Sequence, residues 1–303
     1  MKVSVLIPVY NKRRYVEQCL KSILEQDFDD FEAIAVDDGS TDGSAEICDR
    51  LAAVYPRLRV KHITNGGVTR ARRTAYEMST GEYITFADAD DRMRPGALRT
   101  LYDAIVREEA DEVVATYHNQ HGVHKTTGIT GEVDPTWMLA RLCGSKARFC
   151  ILWGVIFRRR LLEGCLDDAG VIIRSGEDRL MQMLCLVKRP KVVFIPDSVY
   201  TYYEGITRRN LGDVADMQRA YDEVLRKAFA PRWDELKDLY TLRQVKIYEH
   251  YIYLKRFEVF DQYFRHVRKQ LNRNIPLADR IVMMLPPRLA RIPIVVRKWL
   301  VNR

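Results

Sequence analysis

Three groups of carboxylates stand out by type and spacing. Asp88-Ala89-Asp90-Asp91 directly follows the apolar run Tyr83 to Ala87, so a strand ending there presents acids at its mouth. Clustered carboxylates repel one another and require a cation. Their hard oxygens suit Mg²⁺ or Mn²⁺, ions that commonly bridge protein carboxylates to substrate phosphates. An acidic loop capping the next helix accounts for the same residues. Asp37-Asp38-Gly39-Ser40 has the residue types of an ordinary turn, yet it follows a second apolar run, where an acceptor can take a hydrogen bond from a base or ribose. Glu177-Asp178 comes after the Arg174-Ser175-Gly176 turn and before Leu180, Met181, Met183 and Leu184, which puts two acids at a helix start. The helix dipole favours their ionised forms, and such a carboxylate can serve as a general base; simple N-capping by aspartate is the alternative.

The elements that must carry these groups are legible in the periodicity. Val3 to Pro8 is a continuous apolar run ended by proline, as in a buried parallel strand, and Val16, Cys19, Leu20, Ile23 and Leu24 have helical spacing. Phe31 to Val36 reads as a second strand, and Thr41 is placed to cap the helix carrying Cys48, Leu51, Ala52 and Tyr55. Arg59 to Ile63 is a third strand, Asn65-Gly66-Gly67 a turn, Val68 to Met78 a helix and Tyr83 to Ala87 a fourth strand. Pro95 suits the first turn of a helix containing Leu98, Leu101, Tyr102 and Ile105. Strands alternating with helices over the first 118 residues predict a parallel, doubly wound sheet. Ligands bind such sheets beyond the carboxyl ends of the strands, where Tyr10, Asp37, Asp38 and the Asp88 cluster all fall. Further on, Val192 to Ile195 is a strand, and Leu239 to Leu271 reads as a helix whose Tyr248, Tyr251, Phe257, Phe260, Tyr263 and Phe264 serve core and interface.

The chain is 303 residues, 47% hydrophobic and 30% charged, enough for one large α/β domain with an appendage and incompatible with wholesale disorder. No apolar run reaches spanning length, and Met1 to Pro8 breaks too early for a secretory signal, so the chain is expected in the cytosol. The six cysteines show neither Cys-x-x-Cys nor zinc spacing and read as small core residues. The net charge of +8 is uneven: residues 1–218 carry 30 basic against 32 acidic side chains, and 219–303 carry 19 against 9. From Arg265 onward, ten basic residues and the single acid Asp279 interleave with Ile281, Val282, Met283, Met284, Leu285, Leu289, Ile292, Ile294, Val295, Val296, Trp299 and Leu300. That mixture favours an anionic membrane surface, reached peripherally from the cytoplasmic side; a helix packed on the catalytic domain with its arginines in water is the alternative. No nucleic-acid-binding motif accompanies the basic stripe.

Several motifs in order resemble a glycosyltransferase of family 2, of the bacterial surface-polysaccharide type, over roughly residues 1 to 210. They are Val3 to Asn11, Val36-Asp37-Asp38-Gly39-Ser40-Thr41-Asp42-Gly43-Ser44, Asn65-Gly66-Gly67 with Ala71-Arg72, and Gly81 to Asp91. Trp153 to Arg159, Gly176-Glu177-Asp178 and Val199-Tyr200-Thr201-Tyr202-Tyr203 continue the pattern. The resemblance implies an α/β, Rossmann-like GT-A nucleotide-binding domain with a mixed, mostly parallel sheet over residues 1–216, followed by a basic helical C-terminal region over 217–303. It implies that Pro8, Tyr10 and Asp38 hold the donor's base and that Asn65 and Arg72 complete the nucleotide site. Asp88 would meet ribose or metal, and Asp90 the Mn²⁺ or Mg²⁺ on the diphosphate. Asp178 would be the general base, with Glu177 assisting placement, and Thr207 and Arg208 would close over the diphosphate. Two departures from the family pattern are Arg73 after Arg72, where asparagine is usual, and Ile206 before Thr207, where serine is common.

The implied reaction is an inverting transfer of a hexosyl or N-acetylhexosaminyl group, from a UDP-sugar in the first instance, to a hydroxyl of a lipid-linked or cell-surface glycan. Rivals are a nucleotidyltransferase, for which a glycine-rich phosphate loop is wanting, and a non-catalytic nucleotide-sugar or glycan-binding scaffold. The dinucleotide-binding Gly-x-Gly-x-x-Gly fingerprint is absent after the first strand, which removes the main support for a nicotinamide or flavin enzyme.

Overall fold

The computed structural model describes residues 1–145, 147, 149, 151–167, 173, 176–205, 214–255 and 264–301. Arg174, Ser175, Thr207, Arg208, Phe257, Phe260 and Tyr263 lie outside the described residues. The chain divides into two compact units, Met1–Thr136 with Arg148–Tyr221, and Trp137–Ala147 with Asp222–Arg303.

The first unit is built on β1 (Val3–Val9), whose side chains are buried almost without interruption because it lies inside a sheet covered on both faces. It pairs in parallel with β2 (Phe31–Asp37) and β4 (Tyr83–Phe86), and β2 pairs in parallel with β3 (Leu58–His62). Between them run α1 (Val16–Leu24), α2 (Ser44–Ala52) and α3 (Val68–Met78). The apolar stripe Val16, Cys19, Leu20, Ile23 and Leu24 is the buried face of α1, as its spacing requires. The strand order 3-2-1-4 reverses at β1, so the carboxyl ends of β1 and β4 flank a topological switch point.

After β4 come β5 (Arg92–Met93), α4 (Ala97–Arg107), β6 (Glu112–Asn119), β7 (His124–Lys125), β8 (Gly131–Val133), α5 (Pro135–Cys143), β9 (Val155–Arg158), α6 (Glu177–Val187) and β10 (Val192–Tyr202). The full path is β3-β2-β1-β4-β9-β6-β10-β5, with β7 on β6 and β8 on β10. The sheet is mixed and mostly parallel, as the family resemblance implies: β9 runs antiparallel to both β4 and β6, while β6 and β10 are parallel to each other.

Four local expectations are corrected. Thr41 does not cap α2: that helix starts at Ser44, whose N–H is taken by Asp42 Oδ1 at 3.0 Å, while the Thr41 N–H donates to Asn11 Oδ1 at 2.9 Å. Pro95 precedes α4 rather than sitting in its first turn, because Gly96 at φ 74° separates them. The strand read as Val192 to Ile195 continues to Tyr202, with register shifts around Pro196, which has no N–H for the ladder. The long C-terminal helix ends much earlier than Leu271.

In the second unit α7 (Val214–Phe229) contributes its residues from Asp222 onward, followed by α8 (Trp233–Tyr253), α9 (Arg265–Gln270), α10 (Leu277–Met284) and α11 (Pro287–Val301). Beyond α8 the chain turns through Lys255 at φ 59°, which an α-helix does not accommodate. Buried Asp279 and Glu249 accept from Lys246 at 2.7 and 3.1 Å, and both also pair with Arg297, Asp279 at 2.7 Å. This network ties α8, α10 and α11 together. No helix among the described residues is long and apolar enough to cross a membrane.

Glu112, the first residue of β6, is fully buried, and burial pushes its carboxyl up to about 7 from the usual 4.5. A raised carboxyl contributes its full stability below the unfolded value and loses it as pH rises through the folded one. Glu112→Gln is therefore expected to match the parent in urea unfolding below about pH 5 and to exceed it by on the order of 2–3 kcal/mol above about pH 8.

Candidate functional site

The carboxyl ends of β1, β2 and β4, the loop after β3 and the start of α6 bring Tyr10, Asp38, Asn65, Asp88, Asp90, Glu177 and Asp178 to one edge of the first unit. After β1, Tyr10 is 49% exposed at the mouth, and Asn11 takes φ 52°, a left-handed conformation that asparagine tolerates. Asn11 N–H donates to Ser40 Oγ at 2.9 Å and Lys12 N–H to Ser44 Oγ at 2.7 Å, so the loop after β1 is laced to the loop after β2. Pro8 lies in β1 opposite Val36.

Asp38 is buried and its carboxylate accepts from Gly66 N–H at 2.7 Å, Gly67 N–H at 2.8 Å and Asn65 Nδ2 at 3.2 Å. Burial raises its carboxyl, with the two backbone donors opposing. The loop after β3 is thereby clamped onto the end of β2. Gly39 is required beneath it: its φ is 74°, and a Cβ there would lie 2.9 Å from Asn65 N. Asp37 caps the same turn, accepting Ser40 N–H at 3.1 Å and facing His62 Nδ1 at 3.2 Å.

At β4 the acidic cluster does not cap α4, whose Leu98 N–H donates to Gln26 Oε1 at 3.2 Å instead. Asp88 and Asp178 meet through Arg72, which projects from α3 and is almost wholly buried. Its Nη1 donates to Asp178 Oδ1 at 2.6 Å and its Nη2 to Asp88 Oδ1 at 3.2 Å. Burial works against the guanidinium charge, but Asp178, Asp88 and Glu177 outweigh it. Arg73, the neighbour that leaves the family pattern, pairs with Glu77 on the exposed side of α3 at 2.8 Å. Of the two arginines, Arg72 is the one at the site.

The capping reading of Asp178 does not hold either. The N-cap of α6 is Gly176 at φ 84°, and no side chain caps the helix. Nor does the helix dipole decide the state of Glu177: burial and the adjacent Asp178 push its carboxyl up. Burial also raises Asp88 to about 6 despite Arg72, and Asp91 to about 8. Five carboxylates, Asp88, Asp90, Asp91, Glu177 and Asp178, thus crowd one edge.

Sequence reasoning missed two neighbours. The Lys12 ammonium pairs with the Asp90 carboxylate, both side chains being largely covered. Its signal was available: a basic residue directly after a strand that ends beside an acidic cluster. Tyr200 Oη accepts the Asp88 N–H at 2.9 Å, a contact across the sheet that no local pattern reveals. Among the described residues no three His, Cys, Asp or Glu side chains are grouped to hold a metal ion by themselves.

The sheet order and the acidic edge are those of a doubly wound α/β fold with a crevice beyond the carboxyl ends of its strands, and comparison with known proteins gives the family. The sequence model of Glycosyl transferase family 2 matches residues 4–166, more than half of the chain, and the protein belongs to that family. It is 31% identical over 216 residues to Glycosyltransferase GlyA of Streptococcus pneumoniae serotype 4, covering 66% of this chain and 30% of that protein. It is 29% identical over 212 residues to a Poly(ribitol-phosphate) beta-glucosyltransferase of Bacillus spizizenii, covering 69% and 33%. The chain thus spans about a third of the length of both relatives. The crystal structure of Staphylococcus aureus TarS 1–349 in complex with UDP-GlcNAc superposes with a TM-score of 0.66 at 18% identity, covering 100% of this chain and 93% of that one. The fold is therefore GT-A-like, a mixed, mostly parallel sheet followed by a helical C-terminal region.

Removing Arg72 leaves the carboxylates around it without their shared cation. Arg72→Met is expected to lower unfolding stability by about 3 kcal/mol, against less than about 0.5 kcal/mol for Arg73→Met, as read by urea titration at neutral pH.

Proposed function

We propose that the protein transfers a sugar from a nucleotide-diphosphate sugar, a UDP-sugar first, to a hydroxyl of a lipid-linked or cell-surface glycan, with inversion at the anomeric carbon. The observation that carries this reading is the Arg72 bridge, which puts Asp178 and Asp88 at the switch point where a GT-A sheet receives its donor. Pro8, Tyr10, Asp38 and Asn65 form the base and nucleoside subsite, Asp38 acting through the Asn65–Gly67 loop that it holds. Asp178, aimed by Arg72, accepts the proton of the acceptor hydroxyl as that oxygen attacks the anomeric carbon; Glu177 beside it assists placement. One displacement inverts configuration. Thr207 and Arg208 are assigned to the diphosphate on sequence grounds alone.

Asp90 and Asp88 offer hard oxygen donors suited to Mn²⁺ or Mg²⁺, and with so few protein ligands the ion would share its coordination with the diphosphate. When bound, it would supply neutralising charge for the departing nucleotide. The glycan acceptor rests on the names of relatives, among them one acting on poly(ribitol-phosphate). The domain division at residues 216 and 217 is likewise retained as part of this reading.

We also infer peripheral attachment to an anionic membrane surface through the second unit. Leu277, Ile281 and Met284 on α10, and Leu289, Ile292, Val296, Trp299 and Leu300 on α11, are all exposed. The α11 set falls within an arc of about 100° at helical spacing. Asp279, the single acid of α10 and α11, is turned inward onto Lys246 and Arg297, so these two helices expose apolar side chains and Arg288 with no acid of their own among them. That is the composition of an interfacial helix on anionic lipid.

Two experiments test these assignments. In calorimetric titration with Mn²⁺ present, wild type is expected to bind UDP, and Asp178→Asn to keep that affinity within about threefold while turnover falls by about 10²-fold or more. Absence of UDP binding by wild type sinks the donor assignment; full turnover in Asp178→Asn sinks the base. In vesicle flotation, the full chain is expected to rise with phosphatidylglycerol-containing vesicles and not with phosphatidylcholine alone, and Ile292→Asp/Val296→Asp to stay at the bottom. Equal recovery of parent and variant would dismiss the membrane face.

A further inference from the structure

Lys12 has a fixed base and a buried end. Its N–H donates to Ser44 Oγ at 2.7 Å, and its carbonyl accepts the N–H groups of Tyr15 and Val16 at 2.8 and 2.9 Å, closing the turn into α1. From that anchored backbone its stem runs under cover, 18% exposed, to an Asp90 carboxylate that is 13% exposed. A lysine ordinarily keeps its ammonium in water, so one held against a covered carboxylate answers a local excess of negative charge. Among the described residues, five carboxylates gather on this edge around Arg72 and Lys12. Arg72 pairs with Asp88 and Asp178, and Lys12 pairs with Asp90.

We propose that Lys12 is the resident counter-ion of Asp90 in the free protein and that it moves to the diphosphate when the donor arrives, which makes divalent-metal binding conditional on nucleotide. An ammonium and a divalent cation cannot both sit against one carboxylate without strong mutual repulsion in a covered site. The diphosphate brings oxygens that attract the ammonium, and four methylenes let it swing from a stationary backbone. Asp90 is then released to the metal at the moment when phosphate oxygens become available to complete a coordination shell that the described protein side chains do not fill. Lys12 in this way adds a diphosphate-binding group to the site and sets the order of assembly, nucleotide before metal. The inference rests on the reading of Asp90 as the ligand of the ion.

The test is a Mn²⁺ titration followed by electron paramagnetic resonance of the free ion, with the full chain, with and without UDP. Wild type is expected to bind Mn²⁺ weakly alone and at least about tenfold more tightly with UDP. Lys12→Met is expected to bind Mn²⁺ alone at least about tenfold more tightly than wild type, and to bind UDP at least about tenfold more weakly in EDTA. Lys12→Arg keeps the cation and is expected to retain the wild-type preference for nucleotide first. Thermal melting by circular dichroism checks that each variant is folded, and Lys12→Gln substitutes for Lys12→Met if that variant is not. If the neutral variant binds Mn²⁺ alone no better than wild type while wild type still shows UDP-dependent binding, the conditional role is overturned and the metal reading stands. If wild type binds no Mn²⁺ even with UDP, or Asp90→Asn binds it as well as wild type does, the metal assignment falls and the inference with it.

Discussion

One buried guanidinium organises the site. Arg72 stands between Asp88 at the end of β4 and Asp178 at the start of α6, residues 90 positions apart in the chain and on elements with no direct strand pairing. Without a cation there, desolvation and mutual repulsion would force those carboxyls to take up protons or move apart. With it, the two carboxylates are held on one guanidinium, from the end of β4 and the start of α6. The arginine needs its own support, which α3 provides by packing on β1 and by laying the guanidinium about 5.9 Å from the Phe86 ring centroid.

Charge is managed differently in the second unit. There Asp279 and Glu249 pair inward with Lys246 and Arg297, and the acids contribute to packing rather than to a reactive edge. In the first unit the carboxylates outnumber the cations, an arrangement that costs stability and is tolerable where a ligand brings compensating charge. Burial, with the neighbouring carboxylates adding to it, raises Asp88, Asp91 and Glu177, whereas pairing with Lys246 and Arg297 outweighs burial and lowers Asp279.

Much of this was legible before any coordinates. Strand and helix order through α4 follows from apolar runs and helical spacing, because β1, β2 and β4 are buried on both faces and α1 on one. What periodicity does not carry is pairing: nothing local says that β9 runs backwards between β4 and β6, since antiparallel insertion depends on long-range contacts. Caps were misassigned where a loop-to-loop bond won over a local one, as when the Thr41 N–H went to Asn11. Asp38, Asp88 and Asp178 were found by type and position; their partners Gly66, Gly67, Arg72 and Tyr200 come from distant segments. Lys12 was overlooked because a lone lysine after a strand is ordinarily solvated.

The reciprocal bonds between residues 11–12 and 40–44 have a mechanical meaning. Asn11 receives the Thr41 N–H and gives its own to Ser40, and Lys12 gives its N–H to Ser44, so two loops from different strands form a single stiff rim. On the proposed function, a donor meeting this rim would order little that is not already ordered, and more of the contact energy would be kept as affinity. The same stiffness ties the fates of the two segments: altering one loop displaces the other, and with it Lys12 and its pairing with Asp90. If the rim meets the donor as proposed, donor choice is inherited as a block, changed by paired substitutions across the rim more readily than by any single one.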